Sequence, residues 1–519
     1  MFRILGSRKR LCDGLSRRDF LHVGGLGALG IGLANALRLQ GEPNGTSTSR
    51  ATRFGKAKAC ILLFPYGSPP QHETFDPKPD APTEIQGELK AIRTAVPGVM
   101  IGERLPGIAR IVDRLTIVRS LTHPYPEHGV AYALSGIPTY TPALETRPRD
   151  PMHWPFIGSV VDYLEEKCHP SPPSPLPQGA RGESFIPRNI GLPWLLNSKT
   201  DLNVSAGPYA AFLGQGYDPV WTDFDGAGTR IAPHYTDGQS KDFLDPFAGT
   251  TQAGRFRVST IGPNSDVNGP KAPDDIPIER LNLRRSLLQQ FDAARQSLDR
   301  AASEQPFEKF QRMAFSLIAS SRMRDALDIG KETLAVRERY GLTLFGQSCL
   351  AARRLVEAGC KFVTVFWDGY GQFANCAWDT HNNHYPRLKE YLLPGFDQAY
   401  PALILDLEAR GLLDETLVLW MSEHGRTPRI DPKPKGAGRH HWSRAYSIAL
   451  AGGGSARGKV VGSTDKQGGD VRETPVSPKD ILATAFHLLG IDPSTTIPDS
   501  LGRPVPIAGA GQLRSELLG

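Results

Sequence analysis

Three short polar clusters near the C-terminus combine imidazoles with carboxylates. They read Trp378-Asp379-Thr380-His381, Ser422-Glu423-His424-Gly425-Arg426-Thr427-Pro428 and Gly438-Arg439-His440-His441-Trp442. Neutral imidazole together with carboxylate suits zinc, manganese or iron(II), whereas carboxylates alone suit calcium or magnesium. An Asp-x-His on an extended segment points both side chains to one side, so Asp379 and His381 could share one ion. Arg426 stands beside Glu423 and His424. It is either a bidentate clamp for an anionic substrate or half of a structural ion pair with Glu423. The bland alternative for all three clusters is a hydrogen-bonded network that only shapes loops. Solitary histidines such as His234 and His487 read as structural.

The clusters sit beside apolar runs that read as buried strands: residues 59–64, 115–118, 362–366, 416–420 and 446–450. Helical periodicity occupies 278–303, 306–326, 330–358 and 395–410, and a helix opened by Ser477-Pro478 runs to Leu489. Continuous apolar strands separated by helices predict an α/β fold with a mostly parallel sheet covered on both faces. Sites in such sheets form at the carboxyl ends of the strands. Strand one is followed by His72, Glu73 and Asp76, and strand two by Thr122, His123, Glu127 and His128. Asp368, Asp379, His381 and His384 follow strand three, and Glu423 and His424 follow strand four. His440 and His441 precede strand five. Most of the 13 histidines of the chain therefore fall in these loops, which points to one shared site. Residues 140–358 read as a long insertion, with proline-rich loops at 169–190 and 262–277. No internal repeat is visible.

The N-terminus carries Arg8-Lys9-Arg10, then Ser16-Arg17-Arg18-Asp19-Phe20-Leu21, then a glycine-rich apolar stretch from Val23 to Leu37. This order predicts a twin-arginine signal over 1–37, a polar linker over 38–56 and a single domain over 57–510. An amphipathic N-terminal helix is the competing reading. The expected partner is the twin-arginine export machinery, and the expected location is periplasmic or extracellular. The apolar stretch is too short and glycine-rich for a stable span. No transmembrane domain is expected beyond an uncleaved signal anchor; small residues near Ala34-Asn35-Ala36 permit cleavage instead. The net charge of +6 comes from scattered arginines without a dense basic stripe, which argues against nucleic acid. Five cysteines follow the signal, an odd number without CxxC spacing, so buried thiols are expected rather than a disulfide framework. Cys360 and Cys376 are the pair that could flank the strand leading to Asp379.

Asp76-Pro77-Lys78-Pro79, Trp378-Asp379-Thr380-His381, Gly425-Arg426-Thr427-Pro428, Arg439 and His441-Trp442 occur in an order that resembles the DUF1501 family. So do Ala451-Gly452-Gly453-Gly454 and Gly462-Ser463-Thr464-Asp465. The resemblance covers essentially the whole chain after the signal, and a twin-arginine leader is usual there. It implies an exported bacterial protein of the alkaline phosphatase/sulfatase superfamily. The fold implied is a doubly wound, mostly parallel sheet with a two-metal site at the strand ends. On this resemblance Glu423-His424 stands where the superfamily has an Asp-His ligand pair. His441 matches the final metal histidine, and Asp379 and His381 the remaining pair. The family often has phenylalanine at the position of His424 and aspartate at that of His440.

Two departures stand out. Pro65-Tyr66-Gly67 occupies the place of the aspartates after strand one, which leaves Glu73 and Asp76 as substitutes. The sulfatase motif Cys-x-Pro-x-Arg is missing: Pro126-Glu127-His128-Gly129 precedes the helix that ends at Ser135-Gly136, and Cys168 heads Cys-His-Pro-Ser-Pro. Formylglycine chemistry is therefore not expected, and Thr122 is the nearest hydroxyl. Without a nucleophile, water activated by the ion would attack a phosphate or sulfate ester, with His128 or His123 as general acid. The resulting expectation is a hydrolase of small anionic esters. It would hold one or two divalent ions (zinc, manganese, iron or calcium) through Asp379, His381, Glu423, His424 and His441. The alternative is a non-catalytic exported binding or scaffold protein that keeps the fold.

Overall fold

The computed structural model describes residues 53–147, 150–168, 186–200, 208–226, 228, 245–247, 254–259, 321–370, 378–433 and 436–519. The chain divides into Met1–Thr52 and Arg53–Gly519, and the fold below is that of the second unit. The expected signal over 1–37, most of the linker, the helix over 278–303 and Cys376 lie outside the described residues.

Among the described residues, nine strands form the central sheet. They are β1 (Ala59–Pro65), β2 (Leu115–Leu121), β3 (Asn189–Leu192), β4 (Val220–Asp225), β5 (Arg255–Val258), β6 (Phe362–Trp367), β7 (Thr416–Trp420), β8 (Tyr446–Ala451) and β9 (Lys459–Val461). Their spatial order is β9-β2-β8-β7-β1-β6-β3-β4-β5. β1 lies between β6 and β7 and runs parallel to both. β3 continues the parallel run from β6 to β4. β5 is antiparallel at one edge, and β8 is antiparallel to both β2 and β7.

β1 shows why the strands form where they do. Every residue of Ala-Cys-Ile-Leu-Leu-Phe-Pro is buried. Ile61 and Leu63 face one core cluster, while Cys60, Leu62 and Phe64 face the other, the two-residue alternation of a strand covered on both faces. Around the sheet lie α1 (Val130–Leu134), α2 (Ile157–Cys168), α3 (Leu344–Glu357), α4 (Leu393–Ala409) and α5 (Pro478–Leu488). α3 and α4 pack in the first core, α2 and α5 in the second. The helix expected over 330–358 is broken: Leu334–Tyr340 ends at Gly341, and Thr343 caps α3 by accepting from Gly346 N at 3.2 Å. α5 opens with the capping box Ser477/Asp480, which satisfies two otherwise orphaned N–H groups.

The region 140–358, read as a long insertion, supplies β3, β4 and β5 to the central sheet. The architecture is α/β with a mostly parallel sheet. Cys60, Cys349 and Cys360 are buried thiols. Among the described residues no helix is long and apolar enough to cross a membrane.

Candidate metal centre

The reversed direction of β8 explains why residues preceding it join loops that follow the other strands. Its N-terminal end lies with the C-terminal ends of β2 and β7. The chain leaves β7 through Ser422-Glu423-His424 and returns to β8 through His440-His441-Trp442. Gly425–Arg426 pairs with His441–Trp442 in a short antiparallel ribbon, with Arg426 opposite His441.

Asp379 arrives from the other side, anchored by Trp378. That indole is fully buried and packs edge-on against Trp367, Phe396 and Trp420. Arg387 Nη1 donates to the Asp379 carbonyl at 3.0 Å. Gly67, in the turn after β1, lies against the same segment with φ +93°. A Cβ there would overlap the Asp379 backbone nitrogen, so this contact requires glycine.

Two groups of donor atoms result. In the first, Asp379 Oδ1 lies 2.9 Å from His381 Nε2 and 3.2 Å from His441 Nε2. The two imidazole nitrogens are 3.0 Å apart. The second group is His128, His424 and, again, His441. Backbone carbonyls aim two of these rings: His441 Nδ1 faces Pro126 O at 3.3 Å and His424 Nδ1 faces Gly425 O at 2.8 Å. A ring that donates through Nδ1 presents a lone pair at Nε2. His424 Nε2 is buried without a hydrogen-bond partner. Convergent lone pairs, a carboxylate and outer-shell carbonyls are what a divalent ion requires of its ligands, so Asp379, His381 and His441 fit such an ion.

The electrostatics agree. Burial, reinforced by His128 and Arg426, pushes His441 down to about 4. Burial also lowers His381, and takes His424 well below its ordinary value. Neutral imidazoles are the ligating form. Burial acts against the Asp379 charge, but Arg426 and then His128 outweigh it and hold the carboxyl well below the usual range. His128 goes the other way. Burial opposes its proton, yet Asp379 Oδ2 at 3.4 Å and Glu423 Oε1 at 2.9 Å raise it to about 10.

The remaining residues singled out by sequence take other places. Glu423 lies behind His128. Its Oε1 accepts from Gly67 N at 2.8 Å and its Oε2 meets the Ser422 hydroxyl at 2.6 Å, which puts it outside both donor groups. Arg426 pairs with Asp379 rather than with Glu423. It is 0% exposed and also donates to the Gly67, Ser68 and Arg439 carbonyls, so it cannot reach out to clamp a substrate. Glu73 forms a buried pair with Arg439 at 2.7 Å. Burial would raise it, but Arg439 holds it at about 2. Asp76 is taken by Lys78 at 2.9 Å, by Arg119 at 3.6 Å and by the Thr464 hydroxyl. Neither acid belongs to the donor groups, because nearby cations claim them first.

His123 has both ring nitrogens engaged, Nε2 with Glu423 O at 2.7 Å and Nδ1 with Tyr125 N at 3.3 Å. Burial lowers it to about 4. Thr122 bonds Val476 O through its backbone at 2.9 Å, and its hydroxyl makes no hydrogen bond to the donor groups among the described residues. Asp368 accepts from Trp194 Nε1, Asn197 N and Gly369 N and braces the loop after β6. Sequence reading missed Ser68, whose hydroxyl accepts from His424 N at 3.2 Å. The signal was Gly67-Ser68 directly after an apolar strand, where the backbone must turn with positive φ.

Residues 57–518 match the family described as "Protein of unknown function (DUF1501)", and the chain belongs to that family. No curated protein matches it. Among solved structures it is similar to Ps i-CgsB, at 12% identity and TM-score 0.37 over 84% of this chain and 72% of that one. It is also similar to the lipoteichoic acid synthase LtaP from Listeria monocytogenes, at 9% and 0.30 over 86% and 76%. A third is BT4656 in complex with D-glucosamine-2-N,6-O-disulfate, at 13% and 0.31 over 89% and 82%.

Proposed function

We propose that this protein is a metal-dependent hydrolase of phosphate or sulfate esters. It is exported in folded form by the twin-arginine machinery to the periplasm or beyond. The observation that carries the reading is the convergence of Asp379 Oδ1, His381 Nε2 and His441 Nε2 on one point. Three protein ligands leave a position open for substrate, as catalytic sites do. The imidazole-rich set suits zinc, manganese or iron(II); calcium prefers oxygen and fits it poorly. A bound ion would polarise the ester and acidify water. His128 holds its proton between Glu423 and Asp379; were Asp379 drawn to an ion, the freed Nε2–H of His128 would be the proton donor to a leaving oxygen. Glu423 orients His128, and Arg426 orients Asp379. A second ion at His424 would need other ligands, because the Nε2 of His441 is committed to the first.

One observation favours a non-catalytic exported binding or scaffold protein. Arg426 Nη2 donates to Asp379 Oδ1, the same oxygen that faces His381 and His441, so a cation already occupies that donor. Elemental analysis of protein matured through export without chelators, followed by an ester screen, separates the two. Bound metal with chelator-sensitive hydrolysis supports the enzyme. Bound metal without turnover supports the scaffold. A folded, metal-free protein sinks the hydrolase reading.

A further inference from the structure

We infer that Asp431 and His440 are positioning residues that hold His381 in the tautomer able to ligate. This rests on the reading of His381 as a metal ligand. Asp431 Oδ2 lies 3.0 Å from His440 Nε2. An ionised carboxylate only accepts, so Nε2 of His440 carries the hydrogen. In neutral His440 the other nitrogen, Nδ1, is then an acceptor. It lies 2.9 Å from His381 Nδ1, so His381 Nδ1 donates. The lone pair of His381 is thereby left on Nε2, the atom that faces Asp379 Oδ1 at 2.9 Å and His441 Nε2 at 3.0 Å. Without this relay the opposite tautomer, donating from Nε2 to Asp379, blocks ligation.

The surroundings are built to keep the relay in register. Asp431 and Gly438 exchange two backbone hydrogen bonds of 2.9 and 3.1 Å, which close the hairpin and set Asp431 beside His440. Thr427 clasps His440 from both sides: Thr427 N donates to His440 O at 2.8 Å, and His440 N donates to Thr427 Oγ1 at 3.0 Å. Arg439 N donates to Thr380 O at 3.2 Å. Gly438 lies so close to His381 that a Cβ would overlap its carbonyl oxygen. The hairpin is thus joined to the segment that carries Asp379 and His381.

The test is Zn²⁺ affinity of the full protein in competition with a chromophoric chelator, with thermal unfolding of the metal-free form measured alongside. His440→Phe keeps a ring but removes the acceptor, and should weaken Zn²⁺ binding by about 10–100-fold, the usual cost of losing an outer-shell partner. Asp431→Ala should weaken it less, in the same direction. His440→Asp can accept from His381 Nδ1 directly and should restore most of the affinity. His440→Phe binding as tightly as the parent overturns the proposal. So does a weakening that His440→Asp fails to rescue and that tracks a loss of metal-free stability. If the parent takes up no Zn²⁺, the ligand reading itself has failed, and the proposal falls with it.

Discussion

Arg426 and Asp379 are 47 residues apart in the chain and 2.5 Å apart in space. The same guanidinium donates to the Gly67, Ser68 and Arg439 carbonyls. One fully buried side chain thus ties together the turn after β1, the segment after β6 and the hairpin between β7 and β8. Only a guanidinium offers that many donors in a fixed plane. Arg426→Ala takes the guanidinium from a carboxylate and three carbonyls and should cost about 3–5 kcal/mol, as broken buried pairs do. Urea denaturation of metal-free protein measures this. A loss below about 1 kcal/mol would place the pair with surface salt bridges and refute its anchoring role.

Asp379→Asn combined with His441→Ala removes two of the three donors in the first group. Bound metal should fall to background by elemental analysis, with the fold intact by circular dichroism. Unchanged metal content means the ion is elsewhere. Glu73→Gln and Asp76→Asn should retain the metal, since cations occupy both acids.

Alkaline pH should erode metal-free stability through His128. Its pKa is raised from 6.5 to about 10 in the fold, because Asp379 and Glu423 outweigh burial. A group that binds its proton more tightly in the folded state stabilises while protonated there. The contribution is complete below pH 6.5, shrinks above it and is gone near pH 10. Asp379 and Glu423 act oppositely: both are depressed despite burial, so their contribution fades on acidification. His128→Gln should flatten the alkaline limb of urea midpoints followed from about pH 6 to about pH 10. Parallel curves for parent and variant would rule this out.

Gly67→Ala should both strain the turn and displace Asp379. At φ +93° a side chain is disfavoured, and the new Cβ would also lie 2.9 Å from Asp379 Cβ. A loss of about 2–4 kcal/mol follows from the conformational and overpacking terms together. Metal affinity should fall as well. A variant with parental stability and affinity would show that the turn can move aside.

The apolar runs of β1, β6 and β7 announce the middle of the sheet, and the polar residues just beyond them announce the site. That Asp379, His381 and His441 come together was legible on those grounds. β3 and β4 were not, because Asn-Ile-Gly-Leu is short and Val-Trp-Thr-Asp-Phe-Asp carries two aspartates. The fates of Glu73 and Asp76 were hidden for another reason. Their position after β1 is local, whereas Arg439, Arg119 and Thr464 reach them from distant parts of the chain. Strand direction was equally hidden. The apolar run of β8 reads the same either way, and only its pairing with β2 and β7 reveals that it is reversed.

That reversal makes the stretch from Met421 to Ala445 a closed excursion, leaving and rejoining the sheet at one rim. Residues can be added or lost between Thr427 and Gly438 without shifting the register of β7 or β8, since both ends of the excursion are pinned to neighbouring strands. His424, Arg426, Asp431, Arg439, His440 and His441 are all carried by this one excursion, and Arg426 and Arg439 bind it to Gly67, Glu73 and Asp379 on neighbouring loops. A change within the excursion must therefore be matched at Gly67, Glu73 and Asp379, so the loops around the site are bound to change as a set.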